Sequence, residues 1–470
     1  MAIKSKLPLC FFLLFFFLLL AALSPVYSLK LQRDNKQKEG SREEEQQQEE
    51  RHKSNPYFFD EQRFSSRFKS EKGHLKILER FSTRSDLLSG LDNYRLAILK
   101  VEPNTFLIPH HWDADAVVVV VKGKATINLV HNDNRESYNL ECGDVARIPA
   151  GTMVYLMNRD DNENLQIVTL FRTISTPGYV SEFFSASSED GESFYTAFSN
   201  EILEAALNTP KDKLKRMLEE KRKGVMREAS KEQIKAMSEQ ASSSSEGGRR
   251  WSIHKSETRG PFNLFKKRPI YSNSYGQIYE AQPNDYQQLK DLDVSVIFSN
   301  ISQGAMLAPL YNTRSTRIAF VVKGNGWWEM ACPHISSQSQ RGREGEGDGV
   351  QYEKASSPVS PNTGFIIPLG HVFTVVASEK ENLQIIVFGI NAQDNKRNFV
   401  AGKEHNVMKQ MDKEAKELAF DMSEEEVDEI LLNNQEESFF VPGPQKQKQK
   451  QRHKHDNGGR LFSVLDSVGF

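Results

Sequence analysis

Apolar positions in the first half of the chain fall in short runs of strand length. Residues 96–101, 116–121, 125–130, 145–148 and 165–171 are β-branched or apolar, and Lys-Gly, Asn-Asp-Asn, Cys-Gly-Asp and Pro-Ala-Gly turns bound them. Many short strands at close spacing predict an antiparallel sandwich or barrel. The period then changes. In NEILEAALNTPKDKLKRMLEE, Leu203 and Leu207 share one helical face. Thr209-Pro210 restarts a helix as N-cap and first helical residue, and Leu214, Met217 and Leu218 continue the stripe. The second half repeats this order. Runs at 294–298, 318–322, 327–331, 364–367 and 383–388 read as strands. A helix follows, with Ser423 and Glu426 as a capping box and Val427, Ile430 and Leu431 as its apolar face.

The likeness of the halves extends to the letters. AVVVVVKGKATINLV surrounds Gly123, and RIAFVVKGNGWWEMA surrounds Gly324. ENLQI occurs at 163–167 and again at 381–385. A repeat this long means two copies of one domain rather than a solenoid. The fold class is therefore mainly β: two tandem β-barrels, each followed by an α-helical arm. Residues 55–225 make the first barrel with its arm, 226–260 a linker containing SSSSEGG, and 261–442 the second barrel with its arm. The polar segment 29–54 and the loop GREGEGDG at 342–349 read as disordered sequence, and a basic, Gln-rich tail occupies 443–470, its apolar tip LFSVLDSVGF being either a sorting signal or a packed end strand. The arms bury their apolar faces either on their own barrel or on a neighbour's arm, which would close a ring of protomers.

A length of 470 residues agrees with two domains. The formal charge of −2 argues against a nucleic-acid partner. Residues 1–28 read as a signal peptide: Lys4 and Lys6, an apolar run at 10–22, and small Val26 and Ser28 before the cut. No later run reaches membrane-spanning length, so the expectation is a soluble protein of the secretory pathway with no stable membrane insertion. Cleavage would remove Cys10 and leave Cys142 and Cys332, for which one intramolecular disulfide stays open. Asn300-Ile301-Ser302 is an N-glycosylation sequon.

Residues 143–158 fit the second cupin motif, G-x5-P-x-G-x2-H-x3-N, in every spacing, and 109–123 fit the spacing of the first. The chain thus resembles the cupins, small barrels that often hold a metal through three His and one Glu. The donors are mostly replaced. His110 stands at the first His, but Trp112, Ala116 and Val154 occupy the other positions. In the second copy Leu310, Asn312, Arg317 and Phe373 do so. One imidazole cannot hold a catalytic metal that needs three protein ligands. His110-His111-Trp112-Asp113 is no better, because neighbours on a strand point to opposite faces. A different set lies in the second copy. Cys332 and His334, at i and i+2, project from one face of an extended chain, and His371 sits in a turn after Pro368-Leu369-Gly370. Sulfur with two imidazoles suits copper or zinc, against the alternative of a buried free Cys and surface histidines.

NPYFF (55–59), PHHWDADAVVVVVKG (109–123), IPAG (148–151), VVKGNGWWEMACPH (321–334) and FFVPGP (439–444) together are similar to the vicilins, the 7S globulin seed storage proteins. The resemblance covers residues 55–440. It implies a nutrient reservoir rather than an enzyme, a homotrimer joined through the arms, and delivery to protein storage vacuoles. It also implies one copper per protomer held by Cys332, His334, His371 and Tyr57. Two other readings stand beside it: a copper redox or superoxide-scavenging cupin, and a bicupin holding a small or anionic ligand.

Overall fold

The computed structural model describes residues 55–132, 134–189, 191–219, 224–239, 241–243, 260–333, 352–433 and 438–447. The signal-like segment 1–28, the polar segment 29–54, the loop 342–349, His334 and the apolar tip 461–470 lie outside the described residues.

Four sheets of seven strands build the two barrels. In the first barrel, Thr105–Trp112, Met153–Asn158, Ala125–His131 and Asn134–Leu140 pair in that order in one sheet. Asp144–Ile148, Ala114–Lys122, Leu165–Thr173 and Tyr94–Val101 form the core of the facing sheet. The second barrel repeats this with Gly326–Cys332 and Phe373–Ala377 in one sheet. Gly364–Ile367, Thr316–Lys323, Leu383–Ile390 and Val294–Ile301 lie in the other.

The unbroken valine run at 117–121 now has a reason. Val118 and Val120 point into the first barrel. Val117 and Val119 join the core shared with the second barrel, to which Ile318 and Phe320 also belong. A strand buried on both faces reads as a continuous apolar run. Phe64 of the first barrel meets Phe320 of the second edge to face, with ring centroids 6.0 Å apart. The two repeated motifs also meet in space. Gly123 and Gly324 have φ of 81° and 86°. A Cβ there would approach the carbonyl oxygens of Asn164 and Asn382, the Asn of each ENLQI, to 2.8 and 2.1 Å. Glycine is therefore required twice, for its φ and for the close approach.

Two domain boundaries differ from the sequence reading. Phe58–Phe59 pairs not with the first barrel but with Gly364–Ile367 of the second (Phe58↔Phe365, Phe59↔Gly364). Reciprocally, Phe262–Asn263 pairs with Asp144–Ile148 of the first (Phe262↔Val145, Asn263↔Asp144). Each half thus lends a short strand to the other. The span 226–260 is also not wholly a linker. Met226–Glu228 pairs with Thr105–Trp112, and the helix Lys231–Ser238 lies on the first barrel. Ser230 and Gln233 form its capping box, and Ile234 and Met237 pack on Phe106 and Met157.

Both arms are helix pairs: Asn200–Leu207 with Lys211–Glu219, and Lys413–Phe420 with Glu424–Leu431. Leu203, Leu214 and Leu218 make a small core in the first pair. In the second, the Ser423–Glu426 capping box forms, and Lys416 reaches Asp428 at 2.7 Å. Among the described residues the cysteines are free thiols, Cys142 exposed and Cys332 buried. Asn300 stands in the strand Val294–Ile301 between Gln277 and Gln384, and its neighbour Ile301 is buried.

Candidate functional sites in the two barrels

Three of the four residues implied as metal donors come together in the second barrel. The lent strand Phe58–Phe59 brings Tyr57 there within its own chain. The Tyr57 carbonyl accepts from the Ile366 amide at 2.9 Å, which fixes the entry of this segment. Cys332 ends the strand Gly326–Cys332 with its side chain fully buried. Its thiol donates to the Tyr57 hydroxyl across 3.7 Å. His371 follows Gly370, whose φ of 78° makes the turn, and its ring centroid lies 6.2 Å from that of Tyr57. His371 Nδ1 lies 3.1 Å from the Leu369 carbonyl. A carbonyl only accepts, so the proton sits on Nδ1 and Nε2 keeps the lone pair. Burial pushes the His371 pKa down, the Leu369 contact opposing it, so the ring is neutral and fit to coordinate. Burial, then the contact with Cys332, pushes the Tyr57 phenol up. A thiol, an imidazole with a directed lone pair and a phenol fit copper in donor type. Among the described residues no group of three or more His, Cys, Asp and Glu side chains converges.

The cupin donor positions have been rebuilt differently in each barrel. In the first, His110 is buried, with Nδ1 donating to the Ile108 carbonyl at 2.8 Å. Trp112 meets it edge on at 4.6 Å, and Ala116 and Val154 complete an apolar interior. Burial pushes His110 down to about 4. His111 points the other way and stacks on Phe183 at 4.9 Å, as the strand alternation requires.

In the second barrel Arg317 takes the place of Ala116 and Asn312 that of Trp112. Arg317 Nε and Nη2 donate to Asn312 Oδ1 at 3.3 and 3.2 Å, and Nη1 donates to Ser295 Oγ at 3.0 Å. Gly389 makes room for it, since a Cβ there would lie 2.0 Å from Arg317 Nη1. Arg397 donates to Glu280 at 2.8 Å, and Gln282 donates to the other carboxylate oxygen at 3.0 Å. Burial pushes Glu280 up, but Arg397 and Arg317 outweigh it and hold the group at about 2. Burial, then Arg397, lowers Arg317 to about 9. Asn312, Arg317 and Arg397 border a cavity of about 60 Å³ walled by Ile297, Ile385 and Phe373, with Glu280, the partner of Arg397, outside that lining. Two guanidiniums against one carboxylate leave it one positive charge. The sequence shows Arg317 as a lost metal donor. It gives no sign that Glu280 and Arg397 join it.

The cupin family model matches residues 86–212 and 262–428. Vicilin-like antimicrobial peptides 2-2 of Macadamia integrifolia is 49% identical over 422 residues, which is 88% of this chain and 63% of that protein. The chain thus spans less than two thirds of that relative's length. The vicilin Cor a 11.0101 of Corylus avellana is 45% identical, covering 88% of this chain and 89% of that one. A Solanum melongena vicilin whose crystal structure revealed different anionic ligands in structurally similar pockets superposes with a TM-score of 0.76 at 40% identity, covering 83% of this chain and 98% of that one.

Proposed function

This chain belongs to the vicilins, the 7S globulin branch of the cupins, and from that membership we propose that it is a seed storage protein, a nitrogen and carbon reserve without turnover. One observation carries the reading. Both barrels keep the cupin fold, while the donor positions inside them are given over to packing and internal pairing: Trp112 against Ala116, and Arg317 on Asn312. The reserve forms a homotrimer through its arms and resides in protein storage vacuoles. Mass-spectrometric quantification in seeds tests this. A storage role expects a major protein at maturity that declines after germination; a constant minor level rejects it.

Copper at the second barrel is the finer reading. Tyr57, Cys332 and His371, with His334, would hold one ion, zinc being the alternative, and bound copper supplies one-electron redox chemistry. Elemental analysis of copper-loaded protein checks it: Cys332→Ala should lose the ion, and retention rules the site out.

The net-positive cavity favours a small organic anion as a second ligand, in keeping with the anionic ligands of the Solanum melongena relative. Acetate titrated calorimetrically should bind the wild type and not Arg317→Met. Equal heats for both would exclude the cavity.

A further inference from the structure

The outer face of the second barrel carries three aromatic rings beside the sequon Asn300-Ile301-Ser302. Tyr279 and Phe298 are cross-strand partners between Gly276–Ala281 and Val294–Ile301. Phe265, in the helical turn Leu264–Lys266 after the lent strand, meets both rings edge on, its centroid 5.3 Å from that of Tyr279 and 5.0 Å from that of Phe298. Phe265 is 39% exposed, so water reaches the cluster.

Strand alternation puts Asn300 on the face of Phe298, since residues i and i+2 share one side. Ser299 and Ile301 face the other way and line the interior cavity. Two residues of rise set Asn300 about 7 Å from Phe298 along the strand. Gln277 and Gln384 flank Asn300 on the neighbouring strands. The Tyr279 hydroxyl donates to Gln277 Oε1 at 3.1 Å, which ties the amide row to the aromatic cluster. Asn300 Oδ1 is buried without a partner, so the amide turns Nδ2, the atom that bears a sugar, outward.

The first barrel shows that the fold does not demand this surface. Gly73 stands opposite Val101 there as Gly276 stands opposite Ile301, which fixes the correspondence. Lys76, His74 and Lys100 then take the places of Tyr279, Gln277 and Asn300. Aromatic rings and neutral amides stand together in the copy that has the sequon.

A pyranose suits them. One face of its ring is a patch of C–H groups that packs on aromatic rings, and its hydroxyl and acetamido groups pair with planar amides. We propose that the second barrel seats the first N-acetylglucosamine of a glycan on Asn300, with Phe298 and Phe265 under the sugar and Gln277 and Gln384 as its hydrogen-bond partners. The proposal rests on use of the sequon and adds that the sugar is held against the protein, covering an apolar patch with a polar rim.

The test uses the full chain secreted from human cell culture. Intact mass of wild type and Asn300→Gln reads use of the sequon, and a peptide N-glycosidase then times release of the glycan from the folded protein. The expected result is loss of one glycan mass in Asn300→Gln and slow release from wild type. Phe265→Ala should speed release at least tenfold, while Phe265→Tyr keeps it slow. Gln277→Ala combined with Gln384→Ala, which leaves the rings in place, should speed it as well. Absence of a glycan on Asn300 overturns the proposal at its premise. A glycan released equally fast from wild type and both alanine variants overturns the seat alone. Unchanged release with an altered particle mass for Phe265→Ala in light scattering also overturns it, because the patch is then a contact between chains.

Discussion

His110 and Arg317 show two ways of handling a polar side chain deep inside a barrel. Arg317 keeps its charge because Asn312, Ser295 and nearby Glu280 accept or balance it. His110 has one carbonyl partner and aromatic neighbours, so it stays neutral. Its folded pKa of about 4 lies below the ordinary 6.5. Between those values the unfolded chain binds the extra proton, so stability falls as pH drops from 6.5 towards 4 and is unaffected above 6.5. Between pH 7 and pH 5 this amounts to about 2 kcal/mol. His110→Leu should therefore show a pH dependence of urea unfolding that is shallower by about that amount. An unchanged slope would mean that His110 is solvated. Glu280, held at about 2, has its effect below that window: its contribution is full above about 4.5 and is lost as pH falls towards 2.

At the scale of elements, the arms carry unburied apolar side chains. Ile202 and Met217 are 55% and 59% exposed, and Leu418 and Ile430 are 87% and 64% exposed. Such faces on amphipathic helices favour association. Met217→Asp combined with Ile430→Asp should convert the proposed three-chain particle to single chains in light scattering, with each chain's β circular dichroism intact. An unchanged particle mass would place the interface elsewhere.

The long strands were legible because alternating or continuous apolar runs are long enough to carry a period. The Ser423 cap was legible because its partner lies three residues on. The lent strands Phe58–Phe59 and Phe262–Asn263 were not, because two residues carry no period and pairing between halves has no local signature. The helix Lys231–Ser238 was hidden by its polar composition, with Ile234 as its one fully buried contact. At the proposed metal set, residue types pointed to Cys332 and His371. Only the lent strand shows how Tyr57 reaches them.

For the whole molecule, the two barrels share one apolar core that runs from Val117 and Val119 through Phe320 and Ile318. Fold duplication is evident from the repeated letters, whereas the joint core follows from which valine faces which side. The exchange of Phe58–Phe59 and Phe262–Asn263 has a consequence for biosynthesis. The first barrel leaves the ribosome without its outermost strand, and Tyr57 waits unplaced until Gly364–Ile367 exists. Neither half is finished before the other, so folding completes only after the last barrel strands are made. Separate chains cut within 244–259 should purify together when co-expressed, and each should be less soluble alone. If either half folded by itself to full stability, the exchange would be ornamental. If they need one another, the protein is a chain whose beginning is completed by its end.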